Sequence, residues 1–590
     1  MFRHPARPKV LKHPPYNPAM RMLTLVALAI GLQGCAPRPA ADLLLVGGRV
    51  YTLSWPDPDG EGRPNAAAPF DAAGWRPDAE AIAIGNGRIL FVGDRAGAAK
   101  FAGPATRTIE LKGATVIPGL IDSHVHLANL GANLERVNLV GVRTPAEAVE
   151  RVAARAASTP KGEWIAGWGW DEGAWASQLP DMQLLSDRVP DHPVVLTGLH
   201  TFAVWGNRLA FERAGITRQT DAPPGGEIKK NAAGDPTGVL LNNASALLTR
   251  AVPAPSAAQL AARLVHAMDV LIKAGYTGVH EAGAETPMLA AFDDLARTGR
   301  LAMPVFVMLA ARDQALMDRW QSHSPAVPPH SGAAHTMGIK VFYDGAMGSR
   351  GALFLEPYSD RPGHRGVGGA EYGFDRQRMA AMMKAGYQVT IHAIGDRANR
   401  ESLDFFESVL KAQPSTSATR PRIEHAQVVS PQDIPRFASL GVIASMQPSH
   451  AVEDMAWAEE RIGPERLKGA YAWRSLRRAG ARMAFNSDLP GTDYNIFYGL
   501  HSAVTRTDRN GKPAGGWRKE EALTIEEAVR GWTIWASYAG FGETGTGTIA
   551  AGKTANLTVM DIDPFRTAAT SPARLLDGTI VMTLISGRIY

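Results

Sequence analysis

The sequence predicts an α/β chain: a (β/α)8 TIM barrel, a small β-sandwich domain built from both chain ends, and a long insertion after barrel strand 1. Three observations predict it. Apolar runs of strand length recur eight times beyond residue 115. Stretches with helical periodicity separate most of them, and strands alternating with helices pair in parallel through crossovers. Polar residues suited to holding a metal close five of the runs, each time at the C-terminal end, where this fold keeps its chemistry.

In chain order, the first barrel strand is expected over 116–123, where an apolar run leads through Pro118-Gly119 into Asp122-Ser123-His124. The others are expected at Thr277–Glu281, Pro304–Leu309, 338–343, 387–393, 422–426, Val442–Gln447 and 482–487. Helices are expected over 258–274, 285–299, 375–385, 398–412, 431–439 and 464–479. The 590 residues exceed a bare barrel of about 250, so additional domains are required. Short strand signals at Leu43–Thr52, Ala81–Val92 and Thr106–Glu110, with Gly85-Asn86-Gly87 as a hairpin step, assign 43–115 to the sandwich. Asn556–Met560 and Ile580–Ile585 supply its other part, within 545–590. The barrel then occupies 116–544, and 56–78, rich in Pro, Gly and Ala, is an exposed loop.

The insertion runs over 128–257. Thr144-Pro145-Ala146-Glu147 has the cap, the N1 proline and the N3 glutamate of a helix start. Trp164, Trp168, Trp170 and Trp175 follow closely. They pack as a core or line an apolar substrate pocket over the barrel mouth; on the second reading Trp170 and His200 are candidate substrate contacts. Asp344, Ser349 and Arg350 follow a strand end that faces the same mouth, which makes Arg350 a third candidate.

The chemistry rests on His124 and His126. A strand has period two, so both imidazoles point to one side. Lys340, His392, His425 and Asp488 close other strands at the same end of the barrel. Imidazole and carboxylate donors together suit zinc and similar divalent ions. Lysine is the odd member, because an ammonium has no lone pair to give.

The order HxH, Lys, His, His, Asp on strands 1, 4, 5, 6 and 8 resembles the amidohydrolase superfamily, and within it amidohydrolase family 3. The phrases that carry the resemblance are Pro118–Leu127, Gly167-Trp-Gly-Trp-Asp171, Asp344–Arg350, His392–Asp396, Arg422–Gln427 and Gly547–Lys553. It spans roughly 43 to 590; Asn556 and Asn242 stand where acids are common in that family. The resemblance implies a divalent metal, one or two per chain, held by His124, His126, Lys340, His392, His425 and Asp488. It also implies carbon dioxide captured as a carbamate on Lys340, giving an anion able to bridge two ions. Two such ions would lower the pKa of a shared water toward ~7. Asp488 would be the general base, and the reaction the hydrolysis of a non-peptide C–N bond, amide or formamide-like, in a small molecule. Glu424 and Asp396, beside two of the histidines, are candidate partners for the ligand rings. The alternative is a lipid-anchored, non-catalytic barrel with a ligand-binding or regulatory role; loss of a ligand residue would mark it, and none is lost.

Composition excludes other classes. A single cysteine, Cys35, rules out a CxxC zinc site and any disulfide within the chain. The net charge of +5 is partly concentrated near the N-terminus, and charges alternate elsewhere, so nucleic acid is not an expected partner. Basic residues up to Arg21 precede the apolar run Met22–Leu32, too short to span a bilayer but suited to a signal-peptide core. Leu32-Gln-Gly-Cys35 then resembles a bacterial lipoprotein processing site, so 1–35 is read as signal peptide and lipidation site. Cys35 would carry the acyl chains, the only membrane contact expected. The expected location is the bacterial cell envelope, in the periplasm, with Ala36 pointing to the outer membrane.

Overall fold

The computed structural model describes residues 40–170, 179–198, 203–223, 226–242, 244–323, 325, 334–348 and 350–590. Cys35 with its preceding segment, Trp175, His200 and Ser349 lie outside the described residues.

Eight parallel strands follow one another around the barrel in chain order. They are β1 (Leu120–Val125), β2 (Tyr276–Ala284), β3 (Val305–Ala310), β4 (Ala334–Phe342), β5 (Gln388–Ala393), β6 (Arg422–His425), β7 (Ile443–Met446) and β8 (Arg482–Phe485). Every residue of β1, β3, β5, β6 and β7 is buried, as expected for parallel strands covered on both faces. The ring closes beyond the ends of β1 and β8. There Val125 bridges Leu489, the Asp488 amide donates to the His124 carbonyl at 3.1 Å, and the His126 amide donates to the Leu489 carbonyl at 3.0 Å. The closing contacts are therefore made by the residues that carry the candidate donors.

Between strands, the helices bury one stripe each. Ala257–Lys273 starts at a capping box, with Ser256 and Gln259 each accepting from the other's amide, and buries Leu260, Leu264, Met268 and Leu271 at helical spacing. Two sequence expectations need correction. The expected strand 116–123 is two strands: Thr115–Pro118 pairs with Leu557–Met560 in the small domain, and β1 begins at Leu120. Pro118 has no N–H to continue a ladder. Gly119 also passes so close to Thr277 that a Cβ there would lie 2.2 Å from its hydroxyl. The expected helix 464–479 is likewise two, Ala458–Leu467 and Trp473–Arg478. Tyr471 between them is left-handed at φ 49° and gives its amide to the Gln427 carbonyl at 2.6 Å.

The two chain ends meet in one mixed sheet whose Leu43–Val50 strand pairs antiparallel with Ala79–Gly85 and parallel with Arg107–Glu110 and Thr115–Pro118. One apolar cluster in this domain draws on both parts of the chain, Ile82 and Ile84 from one end and Leu557 and Leu584 from the other. Asn86 and Gly87 both take positive φ, 52° and 72°, as the tight hairpin requires. Asn556, the departure from an acid, accepts the Ser586 amide at 2.8 Å in this domain.

The insertion carries its own six-stranded sheet, with one apolar cluster on each face. Its helix Pro145–Ala156 begins where the spacing places it: the Thr144 hydroxyl accepts the Glu147 amide at 3.1 Å. Among the described residues no helix is long and apolar enough to cross a membrane.

Candidate metal centre

The six residues singled out in the sequence converge at the C-terminal mouth of the barrel. His124 is the penultimate residue of β1 and is fully buried; His126 follows the strand and caps the helix Leu127–Glu135. Lys340 and His392 are buried on the adjacent strands β4 and β5. His425 ends β6, and Asp488 stands three residues beyond β8. His425, Ala426 and Asp488 all take positive φ, at 75°, 44° and 52°, a strained conformation for residues with a Cβ, and one that clusters at functional sites.

The distances are short. Asp488 Oδ1 lies 3.4 Å from His124 Nε2 and 3.3 Å from His126 Nε2. Lys340 Nζ lies 3.0 Å from the same His124 Nε2. Asp488 Oδ2 lies 3.9 Å from His425 Nδ1, and the His392 and His425 rings are 4.3 Å apart. His450, on the short helix Pro448–Asp454 after β7, brings its Nε2 within 4.0 Å of Asp488 Oδ2. His450 was not among the sequence candidates. The signal was available, since Gln447-Pro448-Ser449-His450 follows a strand end facing the same mouth.

Burial sets the protonation of the cluster. Desolvation lowers His124 to about 4, with the Lys340 charge adding to the effect, so its imidazole is neutral. His392 and His425 are held well below the ordinary histidine value, chiefly by burial. Burial also lowers Lys340, to about 8, against the pull of Glu424 and Asp488, so a fraction of its amine is neutral near pH 7. For Asp488, burial acts upward, but His124, His126, His425 and His450 around it draw the carboxyl well below its ordinary value.

These residues fit a divalent cation. The ligand atoms of His124, His126 and Asp488 lie within 4.8 Å of one another, as do those of His425, His450 and Asp488. Among the described residues neither ring nitrogen of buried His392 has a partner at full hydrogen-bond geometry, a cost that an ion bound at one of them would reduce. A buried polar network aims the donors from below. Glu424 Oε2 is 2.8 Å from His124 Nδ1 and so keeps the proton there, leaving the Nε2 lone pair toward the cluster. Gln447 Oε1 stands 3.2 Å from His425 Nδ1, and Gln447 donates in turn to Asn486 at 2.7 Å. Arg422, fully buried, places Nη2 2.8 Å from Glu424 Oε1 and donates to the Ser123 carbonyl and the Ser445 hydroxyl. Burial would raise Glu424, but Arg422 and His124 override it and keep the carboxyl far below its ordinary range. Glu281 on β2 accepts the Leu127 amide at 2.8 Å and so fixes the turn that presents His126.

Other candidates fall elsewhere. Trp170 is not at the mouth: it is fully buried in the core of the insertion, its Nε1 donating to the Leu196 carbonyl at 2.9 Å. Its apolar surface completes that separate core, which corrects the substrate-contact expectation. Arg350 is turned to Asp360 at 2.7 Å, an acid that also pairs with Arg461, so its guanidinium is committed to tying loops together. Asp396 accepts the Leu355 amide at 2.8 Å and does not orient a ligand histidine. Asp344, raised to about 7 by burial, accepts the amides of Leu353, Ile394 and Gly395 and so pins the loops after β4 and β5.

Two cavities flank the cluster and share His126, Lys340 and Phe342. One, of about 350 Å³, lies toward His450, Asp454 and Trp457. The other, of about 740 Å³, lies toward Glu281, Met288 and Arg312.

Comparison with known proteins agrees with this geometry. The chain is 32% identical over 537 residues to Protein LONG AFTER FAR-RED 3 of Arabidopsis thaliana, covering 88% of this chain and 87% of that protein. It is 29% identical over 508 residues to N-substituted formamide deformylase of Arthrobacter pascens, covering 82% and 90%. An uncharacterized metal-dependent hydrolase from Pyrococcus furiosus superposes with a TM-score of 0.71 at 26% identity, over 89% of this chain and 99% of that one. A model of the amidohydrolase family matches residues 107–590, and this chain belongs to that family.

Proposed function

We propose that this chain is a metal-dependent hydrolase that cleaves a non-peptide C–N bond, amide or formamide-like, in a small molecule. The observation that carries the reading is the placement of Asp488 Oδ1 at 3.4 and 3.3 Å from the Nε2 atoms of His124 and His126, with Lys340 Nζ 3.0 Å from His124. His124, His126, Lys340, His392, His425 and Asp488 would hold the metal, one or two ions, with zinc the ion this donor set suits best. Such an ion supplies Lewis acidity toward a carbonyl and lowers the pKa of a nearby water toward ~7. Lys340 is suited to carbamate formation. Its neutral amine attacks carbon dioxide, the nitrogen gives up a proton, and the product is an anion with two oxygen donors.

The chain's own residues do the rest. Asp488, ionised, accepts a proton from the attacking water as that oxygen adds to the carbonyl carbon. It returns the proton to the substrate nitrogen as the C–N bond breaks, releasing acid and amine. Glu424 holds the His124 tautomer throughout. The C–N bond type finds support in a relative named for deformylating N-substituted formamides. Screening N-formyl and N-acyl amines with the metal-reconstituted protein tests the reading. Asp488→Asn should lose about 10²–10⁴-fold in kcat, and unchanged turnover in that variant would overturn it.

The reading extends to location. Processing before Cys35 and lipidation there would anchor the enzyme in the bacterial cell envelope, on the periplasmic side. Radioactive palmitate should label the parent and not Cys35→Ser; equal labelling would refute the anchor.

A further inference from the structure

The smaller cavity has a polar corner that hydrolysis itself leaves unused. Asp454 closes the helix Pro448–Asp454 and lines that cavity beside His450, Gln427 and Trp457. One of its oxygens is fully engaged: Oδ2 accepts from Gln427 Nε2 at 2.9 Å and from the Tyr471 hydroxyl. Gln427 Nε2 is also 3.1 Å from that hydroxyl, so the three side chains form a closed triangle. The other oxygen is different. Oδ1 has no hydrogen-bond partner among the described residues, yet it is not sealed away from solvent as a buried orphan.

Burial raises the Asp454 carboxyl above its ordinary value against the opposing pull of His450, Tyr471 and Gln427, and among the described residues no arginine or lysine pairs with it. A carboxyl that served only to tie Tyr471 to Gln427 would need one oxygen. Phe342, Met347, Ile394 and Trp457 make much of the remaining wall apolar, so an acceptor in this corner has few competitors for a donor brought in by a ligand. The same cavity reaches Asp488, His126 and Lys340, which places this corner within one small-molecule length of the reacting atoms.

We propose that Asp454 Oδ1 is a specificity determinant that reads a hydrogen-bond donor, an N–H or an ammonium group, on the substrate arm lodged in the smaller cavity. The inference rests on the hydrolytic reading and narrows its substrate class. The preferred amide has one compact arm with an apolar stem and an amino or N–H terminus, while the 740 Å³ cavity takes the other arm.

The test uses the full chain, reconstituted with zinc and bicarbonate. The probes are N-formylbenzylamines carrying an aminomethyl group at the 3- or 4-position, each matched with its ethyl isostere. The preference is read as the ratio of kcat/KM within a pair, or of Kd by calorimetry where a compound binds without turnover. At least one pair should favour the aminomethyl compound by about tenfold or more, the range of a hydrogen bond to a charged group. Asp454→Asn presents an amide donor where Oδ1 was, so it should bring the ratio to one or below. Asp454→Ser, which removes both oxygens, guards against an Asn variant that fails to fold. No preference in the parent, no binding of any probe, or a preference that survives both variants overturns the proposal. Failure of the hydrolytic reading shows separately, as a Kd preference for the donor-bearing compounds with no cleavage of any amide.

Discussion

Glu424→Gln probes the floor of the site with almost no change of shape. Glu424 is fully buried, 2.8 Å from His124 Nδ1 on one side and 2.8 Å from Arg422 Nη2 on the other. Removing its charge leaves the Arg422 guanidinium buried without an anion, and breaking one half of such a pair costs about 3–5 kcal/mol. Arg422 keeps its bonds to Ser123 and Ser445, so the lower end of that range is expected. The second effect falls on the metal. A glutamine can turn its NH2 toward Nδ1, shifting the His124 proton to Nε2 and blocking the lone pair that should bind. Loss of such a partner weakens metal affinity about 10–100-fold, or about 1.4–2.7 kcal/mol. Urea unfolding of the metal-free protein reads the first effect, and chelator competition followed by mass spectrometry of retained metal reads the second. A variant within about 0.5 kcal/mol and twofold of the parent on both scales would refute the claim that the Arg422–Glu424 pair sets the His124 tautomer.

Further outcomes follow from the same geometry. Lys340→Ala should lose bound metal and turnover together, with partial rescue by added short carboxylates standing in for the missing anion; metal retained at parental level would contradict a ligand role for Lys340. Protons should compete weakly for the site. With ordinary values near 6.5, His124, His392 and His425 together would weaken binding about fifty-fold between pH 7.5 and 6. Their lowered values leave these rings neutral over that window, so the contribution from the three should vanish, and metal affinity measured at both pH values checks it. The sign also holds for stability: in the metal-free protein the His124 contribution is lost as pH falls from about 6.5 toward about 4, where the unfolded chain binds the proton and the folded chain does not. Trp170→Ala should cost about 3–5 kcal/mol, seen as faster hydrogen exchange in the insertion strands at unchanged metal content; lost activity with unchanged exchange would return Trp170 to the substrate.

What the sequence disclosed was whatever has a one-dimensional signature. Parallel strands buried on both faces are continuous apolar runs, so all eight barrel strands were legible, and the donors at the C-terminal ends of five of them were legible with them. Junctions were not. Thr115–Pro118 and Leu120–Val125 form one apolar run, and only the pairing of Val116 with Val559, far along the chain, shows that the run serves two domains. Tyr471 breaks a helical pattern because Gln427, in the loop after β6, takes its amide. At the site, Glu424 was visible as the neighbour of a histidine, whereas Arg422, Gln447 and Asn486 look like ordinary strand polars until the barrel closes around them. Trp170 misled because tryptophan spacing reports apolar surface and not which of two cores receives it.

The central claim is that the barrel mouth holds a metal, and metal content by plasma mass spectrometry tests it most directly, on the purified chain beside a His124→Ala/His126→Ala variant. One to two divalent ions per parent chain, depleted in the variant, is the predicted result. No metal in either protein, even after reconstitution with zinc and bicarbonate, would contradict the account.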